Sequence, residues 1–128
     1  MKNLEQIRAI NAAKAAPSIG TGNEGGRTVA KKVPAQIIQN GFLGALAFAI
    51  ENKGSGYENT FKAILVHLKS AKLGHGLPCD DLQSFLNALC EKDASTLRAV
   101  TAEALAYLNY LRRFAKPEKD ESKTKAEG

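Results

Sequence analysis

Asp93-Ala-Ser-Thr-Leu-Arg-Ala-Val-Thr-Ala-Glu-Ala-Leu-Ala-Tyr-Leu-Asn-Tyr-Leu-Arg-Arg-Phe-Ala115 is the stretch that decides the fold. Leu97, Val100, Ala104, Leu105, Leu108, Leu111 and Ala115 recur at three- and four-residue steps, the period of one helix face. Asp93 or Ser95 opens this helix. Arg112, Arg113 and Lys116 close it with cations, where the helix dipole favours them. Working back, Asp80 or Asp81 caps a helix carrying Leu82, Phe85, Leu86 and Leu89, and Gly74-His-Gly-Leu-Pro78 separates it from the helix before. That helix carries Tyr57, Phe61, Ile64, Leu65 and Leu68 and runs from the Lys53-Gly-Ser-Gly56 connection to about Lys72.

Pro34 suits the first turn of a further helix. Asn40-Gly41 looks locally like a stop signal, but Ile37, Ile38, Phe42, Ala45, Leu46 and Ala49 keep one face, so a single helix is predicted over 34–51. Gly41, Gly44 and Ala45 would let another helix approach closely. Leu4, Ile7, Ile10 and Ala13 predict the first helix over 2–16, ended by Pro17. Between them, Ser18 to Arg27 holds four glycines and almost nothing to bury, the composition of a mobile loop. No segment alternates with period two for long enough to make a strand. Pro117 stops order. The expectation is an all-α, single-domain bundle of five or six helices over 1–116, with a flexible, disordered polar tail over 117–128.

Composition agrees. The chain has 128 residues, 44% hydrophobic and 24% charged, which suits one folded domain and excludes full disorder. Two cysteines make no disulfide framework and point to a reducing compartment. Lys2, Glu5 and Arg8 occupy the first turns, where a signal peptide needs an apolar core. Val33 to Ile50 carries no charge, but Pro34, Gln36, Gln39 and Asn40 interrupt it. Gly41 to Ile50 alone is too short for a hydrocarbon core of about 30 Å. It reads as a buried helix of a soluble, cytoplasmic protein with no membrane partner.

Catalytic chemistry finds no carrier. Gly20-x-Gly22-x-x-Gly25 has the letters of a dinucleotide fingerprint but follows a helix rather than a strand, and no βαβ unit fits. Gly26-Arg27-Thr28 is not a Walker loop. His67, His75, Cys79 and Cys90 lack the paired spacing of a zinc site, so no metal or cofactor is expected. His67 reads as a boundary or surface residue and Cys90 as a small packed hydrophobe. Asp80, Asp81 and Glu103 are explained by capping and a solvated face.

Charge says more. Lys plus Arg number 18 against 13 acids, and residues 1–40 balance to +4 while 116–128 balance to zero, so the excess sits on the folded part. Arg8, Lys14, Arg27, Lys31, Lys32, Arg112, Arg113 and Lys116 are the candidates for meeting phosphates. With five Phe, three Tyr and no Trp, few rings are left for stacking bases, and Tyr107 and Tyr110 are the best exposed candidates. Backbone contact is favoured over base readout.

Three segments together resemble a known family: Leu4-Glu-Gln-Ile-Arg-Ala9, Lys32-Val-Pro-Ala-Gln-Ile37 running into Asn40-Gly-Phe-Leu-Gly-Ala-Leu-Ala-Phe48, and Thr101-Ala-Glu-Ala-Leu-Ala-Tyr-Leu-Asn-Tyr-Leu-Arg-Arg-Phe-Ala115. In that order and spacing they look like the small α-helical subunit of the type III-B CRISPR effector, the Cmr (RAMP module) ribonucleoprotein. The likeness spans residue 1 to about 116. The Gly-rich loop at 18–26 and the tail after Pro117 lie outside the pattern, and no role is carried to them.

The resemblance implies a non-catalytic structural subunit in antiviral defence. In that family several copies stack as a minor filament beside the backbone subunits that hold the guide RNA. They help to hold the guide–target duplex while neighbouring subunits cut target RNA, which fits a system where pairing reads sequence and protein reads backbone. The implied partners are other Cmr subunits, above all the backbone subunit, copies of itself, and guide and target RNA. Self-contacts are expected to be head-to-tail and weak in isolation. Tyr107, Tyr110 and Phe114 are the interface candidates, because they lie off the Leu stripe of the last helix. The rival reading is a free-standing helical adaptor that binds protein alone; salt-sensitive retention on RNA separates the two.

Overall fold

Asn3 starts the first helix by exchanging hydrogen bonds with Gln6. The Asn3 side-chain oxygen accepts from the Gln6 backbone N–H at 2.9 Å, and the Gln6 side-chain oxygen accepts from the Asn3 N–H at 2.9 Å. This capping box satisfies two donors that a helix start otherwise leaves open. In the computed structural model, which describes residues 2–20, 25–70 and 79–115, α1 runs Leu4–Ala15 and passes into one 3-10 turn, Ala16–Ser18, carrying Pro17. Then come α2 (Gly26–Glu51), α3 (Gly56–Ser70), α4 (Leu82–Glu91) and α5 (Ala94–Phe114). The chain is an all-α bundle, and the described residues contain no strand. The break at 74–78, the end of the third helix at Lys72 and the tail lie outside the described residues.

The caps of the last two helices resolve the sequence alternatives. Asp81 accepts from the Ser84 N–H and Asp93 from the Thr96 N–H, both at 2.8 Å. Those backbone hydrogen bonds hold both carboxyls below the ordinary aspartate range. α5 is the central helix and packs against α1, α2 and α3.

α2 differs from the sequence reading in two ways. It begins at Gly26 rather than at Pro34, because Val29, Ala30, Val33 and Ile37 form a buried stripe that starts before the proline. Ile19, fully buried, anchors the preceding segment, so the glycine-rich stretch does have something to bury. Second, Gly41 breaks the helix at φ 83°, ψ 158°. Before the break the buried face is Val29–Val33–Ile37, and after it Phe42, Ala45, Leu46 and Ala49. At about 100° per residue these two stripes would sit roughly 170° apart on an unbroken helix. The break at Gly41 re-phases the chain so that both halves face one core. Phe42 then meets Phe61 and Phe85 edge-on, with centroids at 5.5 Å and 5.9 Å. Ile38, expected on the core face, is 73% exposed.

The two phases also explain why apolar residues fall on more than one side of α2. Its best 18-residue window has a mean hydropathy of 1.4, so by length and composition the helix could cross a membrane. Each half instead buries its own face against neighbouring helices.

Candidate nucleic-acid interface

The α1–α5 crossing settles the position of Arg8. Its Nε and one terminal nitrogen donate to the two oxygens of Glu103, each at 2.7 Å. Burial alone would raise the Glu103 carboxyl. The hydrogen bonds from Arg8 and His67 outweigh it and hold the carboxyl below the ordinary glutamate range. Arg8 in turn is raised by its hydrogen bonds to Glu103. Two of the guanidinium nitrogens are thus engaged inside the protein and 23% of the side chain stays exposed, which sets Arg8 apart from the exposed cations.

The same carboxylate organises His67. Asn11 donates to the His67 Nδ1 at 2.8 Å, so the ring proton sits on Nε2 and is donated to Glu103 at 2.9 Å. Tyr107 stacks flat on the imidazole, with centroids 4.3 Å apart and planes 8° off parallel. Burial lowers the His67 pKa, keeping the ring neutral. Three sequence expectations are corrected here. His67 is fully buried rather than at the boundary, Glu103 is buried rather than on a solvated face, and Tyr107 is fully buried rather than exposed. The signal was available: Glu103 stands three residues after Val100 and four before Tyr107, on the buried face of α5. Cys90, expected to pack, is exposed, whereas Cys79 is buried and its thiol is pushed up by that burial.

Five of the remaining candidates, Arg27, Lys31, Lys32, Arg112 and Arg113, lie on the helix turns that meet at one end. A Cβ on Gly26 would stand 3.5 Å from the Ala115 Cβ, so the first turn of α2 meets the end of α5. Arg27, half-buried, lies one residue beyond that contact, and the exposed Arg112 and Arg113 lie within one turn before it. Lys31 and Lys32 are exposed one turn further along α2. Among the described residues, none forms an ion pair with Arg27, Lys31, Arg112 or Arg113. The two basic groups, separated by eighty residues of sequence, thus form one end of the bundle. Lys14 is exposed elsewhere, on the α1 side of a cleft shared with α3. Lys116 lies outside the described residues.

Of the proposed interface rings, Phe114 is 47% exposed beside this basic end. Tyr110 is half-buried and donates its hydroxyl to Glu5 at 3.2 Å. Sequence reasoning missed Lys62, which faces Lys14 across the cleft and whose carboxylate neighbour, Glu58, is 3.9 Å away.

Fold and surface define a small helical protein with one basic end and a buried ionic network at its centre. The chain matches the family described as CRISPR-associated protein (Cas_Cmr5) over residues 4–118, and it belongs to that family of CRISPR-associated Cmr subunits. No curated protein and no solved structure gives a significant match to it.

Proposed function

We propose that this chain is a non-catalytic structural subunit of a cytoplasmic type III-B RNA-guided complex, where it contacts the backbone of the guide–target RNA. The observation that carries the proposal is the meeting of Gly26 with Ala115, which places Arg27, Arg112 and Arg113 together without a partner acid among the described residues. Guanidiniums suit this task because their planar fork matches phosphate oxygens and stays charged at every physiological pH. Few exposed rings accompany them, which favours backbone contact over base readout.

Copies of the chain stack head-to-tail along the duplex and beside the subunit that holds the guide. Exposed Phe114 and the open face of α2 with Ile38 and Phe48 supply apolar contact area for such neighbours. Co-expression with the other Cmr subunits and guide RNA tests this. Wild-type chain should co-purify with RNA and large subunits in several copies, and Arg112→Ala with Arg113→Ala should lower the RNA content while the chain stays folded. Recovery as a free protein, with no RNA or partner retained, would overturn it.

A further inference from the structure

We infer that α1 is a releasable strap, which undocks and unfolds while α2–α5 stay folded. α1 fully buries Ala12 alone, and Leu4, Ile7 and Ile10 are half-buried. By contrast, α3 buries Phe61, Ile64 and Leu68, and α5 buries Val100, Leu108 and Leu111. What fastens α1 is polar. Glu5, Arg8 and Asn11 recur at three-residue steps on one helix face. Glu5 accepts from the Tyr110 hydroxyl at 3.2 Å, and Arg8 donates twice to Glu103 at 2.7 Å. Asn11 donates to His67 at 2.8 Å and to Ser70 at 3.2 Å. Such bonds contribute little net stability, because water replaces them once the helix leaves. The Arg8–Glu103 pair adds little more, since both charges regain water on release.

The seam towards α3 is also unfilled. Ala15, Ala63 and Val66 line a cleft of about 410 Å³ there, and Val66 is 64% exposed. The strap has a built end. Pro17, in the 3-10 turn Ala16–Ser18, has no N–H to carry a helical ladder across. Just beyond it Ile19 is fully buried, and its carbonyl accepts from the Asn59 amide at 3.3 Å. The chain therefore stays anchored at Ile19 when α1 leaves. A helix of 12 residues is marginal alone in water, so undocking and unfolding are one event. Release parts Glu103 from its guanidinium and leaves the carboxylate on His67 alone.

The inference does not rest on the RNA-backbone proposal, because the contact of Gly26 with Ala115 involves no residue of α1. Its test is native-state hydrogen exchange on the full chain, residue by residue, in water and in low urea. Amides from Ile10 to Ala15 should be protected at least about tenfold less than those of Leu108 and Leu111, with a shallower dependence on urea. Leu86→Ala supplies a second arm, since it trims a half-buried side chain of α4, which packs against α2 and α3. That variant should lower protection at Leu108 and Leu111 by about three- to tenfold. It should leave α1 unchanged, because the opened state still holds α4. Equal protection and equal urea slopes in α1 and α5 would overturn the inference. So would loss of α1 protection by the same factor as Leu108 in Leu86→Ala, since either result means that α1 opens only with the whole bundle.

Discussion

Arg8 and Glu103 join the first helix to the middle of the last through two hydrogen bonds of 2.7 Å each. Glu103 is 8% exposed, and its second neighbour, His67, is fully buried. The pair therefore acts inside the bundle, where removal of one partner leaves an uncompensated charge. It ties α1, α3 and α5 together through side chains 95 and 36 residues apart in sequence.

Arg8→Ala should therefore destabilise the chain by about 3 kcal/mol, because it strands a mostly buried carboxylate. Arg8→Met combined with Glu103→Leu should recover most of that loss, since the charge leaves with its partner. Urea unfolding of the two variants measures both. RNA affinity corrected for folded fraction should be the same in the Arg8 variant as in the wild type, because this guanidinium is already engaged.

The pH dependence follows from His67. Burial lowers its folded pKa below the ordinary 6.5, against which Glu103 pulls upward more weakly. The unfolded chain thus binds the proton more readily than the folded one, so stability is complete above about pH 6.5 and declines as pH falls below it. Glu103, held low, adds a further loss as pH falls through its own folded pKa, below the ordinary 4.5. His67→Gln should flatten the first decline and leave the second. Denaturation midpoints at about pH 7.5, 5.5 and 4 separate the two steps.

Gly41 should resist substitution for a purely conformational reason. A Cβ there would meet nothing within 4 Å, yet φ 83° with ψ 158° is a region that only glycine occupies comfortably. Gly41→Ala should cost about 1–3 kcal/mol. Gly56→Ala should destabilise by a different route, since its Cβ would stand 2.7 Å from the Val29 Cγ2. Val29→Ala should partly rescue Gly56→Ala and give no relief to Gly41→Ala, a contrast that thermal melts can read.

Much of the fold was legible because α3, α4 and α5 each bury apolar residues at helical spacing, whereas α1 buries Ala12 alone and leaves its predicted face of Leu4, Ile7 and Ile10 half-buried and Ala13 exposed. The caps Asp81 and Asp93 were visible for the same reason, each one residue before its helix. α2 was not legible beyond its existence. Its two stripes are out of phase, and a pattern search that assumes one face assigned Ile38 to the core and overlooked Val29 and Val33. The basic candidates could be named from composition, but their meeting depends on the contact of Gly26 with Ala115. Arg8 looked like its neighbours in sequence. Only the crossing of α1 over α5 shows that it is engaged on Glu103, and the position of Glu103 on a buried face was the available clue.

The central claim is that the α2–α5 end meets RNA phosphates. The most direct measurement is RNA affinity over a series of salt concentrations for wild type, for Arg27→Ala, Arg112→Ala and Arg113→Ala combined, and for Arg8→Ala. For a strand, each lost phosphate contact should flatten the log–log slope by about 0.7, and for a duplex by about 0.9. The account predicts a clear flattening and weaker binding in the triple variant, with the slope of the Arg8 variant equal to that of the wild type. Unchanged affinity and slope in the triple variant would contradict it.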